Sequence, residues 1–190
     1  MSEIEKRIED LIAQKQQQQQ ETRNLQQAKL EIVSDLDVAE NVKRIKAEII
    51  SNLRMAKTSH MRWISDVQIL IRLGDINQAK ATIPVNFTSC DFGKWYYGEG
   101  QKLSNFSEYL DIEEIHQSVH DTYLQIYSLY QKPIEGSIFN SAKKQMAERE
   151  AKAKKLDLIL KQYSKLLFEL LITLEKKVRS LSNEETINLV

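Results

Sequence analysis

Five glycines and two prolines are all that interrupt 190 residues, and four of the glycines fall between positions 74 and 100. Folds with many loops need more breaks than this; long helices do not. The longest patterned stretch, residues 38–73, contains neither residue type. Along it Val42, Ile45, Ile49, Leu53, Ala56, His60, Trp63, Val67 and Leu70 step by three or four, the spacing of one helix face. That pattern predicts a helix of roughly 50 Å with a histidine in its buried stripe. Gly74 is its expected stop, Asp75 a candidate cap for a short following turn, and Pro84 the end of anything begun there.

Before this helix, residues 1–44 read as an N-terminal helical arm. Ile4, Ile8 and Leu11 open a coiled-coil seam, which fails at the glutamine run Gln16–Gln20 and restarts weakly at Leu25, Leu30 and Val33. Glutamine is a fair helix former, so a solvated helix and a disordered arm are both open readings. Beyond the irregular glycine-bearing stretch, residues 108–131 return to helix. Tyr109, Ile112, Ile115, His116, Val119, His120, Tyr123, Tyr127 and Tyr130 form its apolar-aromatic face. Pro133 and Gly136 break the chain again.

The last helix, residues 138–182, begins charged and ends strongly patterned. Lys143, Lys144, Glu148, Arg149, Glu150, Lys152, Lys154 and Lys155 read as a solvated face. Leu156, Ile159, Tyr163, Leu167, Leu170, Leu174, Val178 and Leu181 then alternate by three and four, a stripe that needs a partner helix in this chain or another. The expected fold is all-α, an antiparallel four-helix-type bundle with long N- and C-terminal helices. Three parts are expected: an arm at 1–44, a bundle at 45–131 and an amphipathic helix at 138–190.

Charge excludes some functions. Lys and Arg number 27, and so do Asp and Glu, so the chain lacks the basic footprint of a nucleic-acid binder or a purely basic membrane-surface module. The longest apolar stretch, Leu166–Leu174, is too short to cross a bilayer, so no membrane insertion is expected. A single cysteine forms no internal disulfide. With no signal-type apolar core at the N-terminus, the expected location is the cytoplasm.

The three histidines and the one cysteine all lie between positions 60 and 120. His116 and His120 are one helical turn apart, so their rings project from one face toward one point. His60 and Cys90 come from separate elements. Three imidazoles and a thiolate make a donor set suited to tetrahedral Zn²⁺ and, if all four bind, leave no position for a reactive water. Such a site is sensing or structural, not hydrolytic. Spacing alone also allows packed core histidines and a small buried thiol. No serine nucleophile elbow or phosphate loop stands out, and the pair Gly98 and Gly100 reads as a helix stop and turn. The chain is therefore not expected to be an enzyme.

The segment Cys90-Asp91-Phe92-Gly93-Lys94-Trp95-Tyr96-Tyr97-Gly98 resembles the signature of the bacterial chemoreceptor zinc-binding (CZB) domain. In that signature a Cys precedes an aromatic or aliphatic residue, Gly, Trp and an aromatic pair. The order His60, Trp63, Cys90, His116, His120 agrees with it, over roughly residues 45–130. The resemblance implies that His60, Cys90, His116 and His120 are zinc ligands in a four-helix-bundle domain that pairs as a homodimer. It also implies that Cys90 is the responsive, oxidisable ligand. Phe92, Gly93, Trp95 and Tyr96 would form the supporting aromatic segment that moves with it.

Domains of this kind usually accompany chemoreceptor signalling helices or diguanylate cyclases. Neither is found in this sequence, so such an output is expected in a partner protein. The leading expectation is a sensor or regulatory module that passes zinc or oxidant status through helices to that partner. The alternative is a structural coiled-coil adaptor in which zinc only staples the bundle. Asp66, Asp91, Glu113 and Asp121 are candidate acceptors for the imidazole N–H groups, though a surface-charge role is the expected one for each.

Overall fold

The computed structural model describes residues 3–74, 83–134 and 139–190. The candidate cap Asp75 and the break at Gly136 lie outside the described residues, as do the side chains of Ile4 and Ile8. The described residues are helical without strands. Their helices are α1 (Glu3–Leu73), α2 (Asp91–Tyr97), α3 (Ser107–Gln131), α4 (Phe139–Ser180) and α5 (Asn183–Ile187), with a 3-10 turn at Glu99–Leu103. The chain divides into two compact units, Met1–Ile45 and Lys46–Val190.

The first unit is helix throughout its described length, glutamine run included. Side-chain amides bridge successive turns there: Gln17 to Glu21 at 3.1 Å, Gln20 to Asn24 at 3.0 Å and Gln27 to Glu31 at 3.1 Å. Such contacts one turn apart stabilise a solvated helix that has no apolar seam. Leu11, Ile12, Leu25, Leu30, Ile32, Val33 and Leu36 are all more than half exposed.

The second unit is a bundle of three long segments. Arg54 meets Glu175 at 2.6 Å and Gln68 meets Asp157 at 2.5 Å, so α1 and α4 run antiparallel. Glu108 meets Lys177 at 2.8 Å, and Arg149 donates to the carbonyl of Lys132, so α3 and α4 are antiparallel too. α1 and α3 therefore run parallel, and the hydroxyl of Tyr130 donates to the Ile71 carbonyl at 3.2 Å near their shared end. A parallel pair needs a crossover spanning the length of the bundle. That crossover carries Cys90 and α2.

The α1 stripe is buried at every position from Ile49 to Leu70. Trp63, Val67 and Leu70 meet Val119, Tyr123 and Ile126 of α3 and Leu160 of α4 in one core. Gly74 ends α1 as expected: φ is +66°, and its N–H returns to the Leu70 carbonyl at 2.9 Å. The α4 stripe folds back on its own chain. Leu160, Leu167, Leu171, Leu174 and Val178 are fully buried, whereas Ile159, part of the expected stripe, is 40% exposed. α5 starts with a capping box between Ser182 and Glu185.

Candidate metal centre

Helix packing delivers the three histidines to one point. The α1 stripe carries His60 inward between Ala56 and Trp63, and α3 carries His116 and His120 one turn apart. Each is at most 2% exposed. Their donor nitrogens all lie within 4.8 Å of one another. The rings of His60 and His116 are 5.2 Å apart, and those of His116 and His120 4.7 Å. Phe92, Trp63 and Phe168 wall the cluster, with centroids 5.3, 5.5 and 6.1 Å from that of His60.

The crossover supplies the thiol. Trp63 Nε1 donates to the Pro84 carbonyl at 3.0 Å, tying the segment to α1. Asn86 Oδ1 then accepts from the N–H and the hydroxyl of Thr88, both at 2.9 Å, and turns the chain. Cys90 follows as the N-cap of α2, its Sγ accepting from the Gly93 N–H at 3.2 Å. The same Sγ lies 3.4 Å from His116 Nε2. The structure thus brings the three imidazoles together, and Cys90 reaches them through His116.

The segment after Cys90 is firmly seated. Phe92 and Tyr96 are buried, and Trp95 is half-buried. Tyr96 stacks on Tyr109 at 4.4 Å and 5°, and the Tyr109 hydroxyl donates to the Tyr96 carbonyl. Gly93 has no room for a side chain, since a Cβ there would stand 2.0 Å from the Phe87 carbonyl oxygen. Gly93→Ala is expected to destabilise the protein by about 3 kcal/mol, read from urea unfolding, because α2 must lift off the 86–89 turn. Unchanged stability would show that α2 is free to shift.

The donor atoms fit a metal better than they fit a packed core. Both ring nitrogens of His60 and Nε2 of His120 are buried without a hydrogen-bond partner. Each such orphan costs about 1–3 kcal/mol, and more than nine in ten buried polar atoms avoid it. A core histidine would have found a partner. His120 Nδ1 faces the Val85 carbonyl at 3.0 Å. A carbonyl only accepts, so Nδ1 carries the proton and Nε2 keeps its lone pair, the tautomer a metal ligand requires.

Burial lowers all three imidazole pKa values: His60 to about 3, His116 to about 2 and His120 to about 4. The neighbouring imidazoles reinforce the shifts at His60 and His116. The rings are therefore neutral at physiological pH, ready to donate lone pairs. Burial also raises the Cys90 thiol, against the pull of the Gly93 and Phe92 N–H groups. A bound cation would reverse that preference and favour the thiolate. Three neutral imidazoles and one thiol suit zinc.

The candidate carboxylate acceptors take the surface-charge role that is their commoner use, and do not orient the rings. Glu113 accepts from the Tyr97 hydroxyl at 2.5 Å, and Asp91 pairs with Lys94 at 3.1 Å. Asp66 and Asp121 are exposed. The acceptor that orients His120 is the backbone carbonyl of Val85, to which residue type gives no signal.

Residues 60–127 match the family model of the chemoreceptor zinc-binding domain. The match begins on His60 and contains His60, Cys90, His116 and His120. No curated protein and no solved structure matches the chain.

Proposed function

We propose, from the premise that residues 60–127 carry a chemoreceptor zinc-binding domain, that this chain is a zinc-responsive regulatory module. His60, Cys90, His116 and His120 hold the ion. The observation that carries this reading is the convergence of three neutral, buried imidazoles, of which His60 and His120 keep ring nitrogens with no hydrogen-bond partner while His116 Nε2 faces the Cys90 sulfur. Bound zinc would act as a Lewis acid that keeps Cys90 as the thiolate, its nucleophilic and oxidisable form.

Cys90 is the exchangeable arm. Its sulfur also caps α2, so it has a supported place to return to when it leaves the ion. Phe92, Trp95 and Tyr96 transmit that change because their rings pack on His116 and Tyr109. The module acts as a homodimer on a helical signalling partner, of the chemoreceptor or diguanylate cyclase kind, in the cytoplasm. Among the described residues no helix is long and apolar enough to cross a membrane.

The test is zinc per protomer in protein purified without added metal, for wild type and Cys90→Ala. One zinc is expected in the wild type, with weaker but surviving binding in the variant. No zinc in either would remove the reading. Zinc that leaves only when the chain unfolds would favour the structural adaptor instead.

A further inference from the structure

His60 and Cys90, but neither His116 nor His120, border one groove open to solvent on this face. One wall is the α1 edge of Ser59, Arg62 and Asp66, the other is Asp91 and Lys94, and the cavity measures about 320 Å³. His60 and Cys90, 1% and 3% exposed, form its floor. At about 30 Å³ per water, this space admits a cation with several attached waters. His60, whose two ring nitrogens are buried and unpartnered, borders it.

The groove is electrically balanced by two carboxylates and two cations. Asp91 is engaged with Lys94 at 3.1 Å. Asp66 has no hydrogen bond or ion pair among the described residues. Without the Asp66 charge the groove would carry a net +1 and repel a dication. With it, a carboxylate stands free at the mouth while the ion sheds water. We propose that this groove is the route by which zinc reaches and leaves the centre, with Asp66 the first group to hold the incoming ion. His60 and Cys90 then engage before His116 and His120. The inference rests on the zinc reading above and extends it from which residues hold the ion to how it arrives.

The experiment mixes zinc-free full-length protein with zinc chloride in a stopped-flow instrument and follows uptake. Release is then followed into excess chelator. Asp66→Asn is expected to slow uptake and release alike, on the order of tenfold, leaving the equilibrium affinity nearly unchanged. Asp111→Asn, which removes an α3 carboxylate that does not border the groove, is expected to leave both rates as they are. An Asp66→Asn uptake rate equal to wild type would overturn the proposal. So would a weaker affinity with unchanged uptake, or equal slowing by Asp111→Asn.

A second arm needs no metal. Ser59→Phe narrows the groove and is expected to slow iodoacetamide alkylation of Cys90 in the zinc-free protein several-fold. Unchanged alkylation overturns the route. If the wild type takes up no zinc, the functional reading fails, while alkylation still reports on the groove.

Discussion

Zinc-free protein is expected to lose most of its stability between pH 6.5 and about pH 4. In the unfolded chain each histidine titrates near 6.5. In the native bundle His60, His116 and His120 resist protonation down to about 3, 2 and 4. Below pH 6.5 the unfolded state therefore binds up to three protons that the native state refuses. The native state is unpenalised above 6.5, and each group then costs about 1.4 kcal/mol per pH unit as the pH falls. At pH 5 the three together cost about 6 kcal/mol, comparable with the whole stability of an ordinary domain, about 5–15 kcal/mol. Glu108 and Glu175, whose carboxyls are lowered mainly by their bonds to Lys177 and Arg54, add little until the pH drops below their ordinary range. Urea midpoints at pH 7, 6 and 5 in the presence of a chelator measure the slope. A flat profile would mean that the rings are hydrated or paired in solution.

His60→Leu is expected to remove zinc binding and yet make the zinc-free protein more stable. The side chain contributes two buried nitrogens with no partner and stands among Trp63, Phe92 and Phe168. Leucine fills similar space without polar atoms, so the metal-free bundle should gain about 2 kcal/mol. The melting temperature rises by about 5 °C. Zinc affinity should fall by more than the 10–100-fold that losing a mere supporting partner costs. The two predictions are coupled: the acid-sensitive slope in His60→Leu should fall from three protons to two. A variant less stable than wild type without zinc would show that His60 is a satisfied core residue. A residue that weakens its own fold unless a ligand arrives is the stability cost that functional sites carry.

Much of this was legible from residue spacing. The α1 stripe was readable because the position after every third or fourth step is apolar or aromatic, and burial follows that periodicity directly. The three histidines and the cysteine stood out because those residue types are so few, and the structure brings them close. Two parts were not legible. In α4 the alternating three-and-four pattern tracks a supercoiled seam, whereas a helix drifts about 20° per heptad against it. The buried face accordingly takes in Leu160 and Leu171 and leaves Ile159 half outside. The orientation of His120 depends on a main-chain carbonyl at Val85, and the cover over His60 on Phe168, more than a hundred residues away. Neither leaves a local signal. Carboxylates near the histidines in sequence were poor guides, because charged groups stay hydrated and find partners at the surface.

The parallel course of α1 and α3 also sets the order in which the chain can assemble. His116 and His120 are neighbours as soon as one turn of α3 forms, but His60 joins them only after a crossover of more than thirty residues closes, a slow and entropically costly event. All three histidines and the cysteine have been synthesised by residue 120, while Phe168 arrives on α4 forty-eight residues later. A nascent chain therefore holds all three imidazoles and the thiol well before it has the helix that covers them. Closure of the cluster waits on a helix that contributes no histidine or cysteine to it.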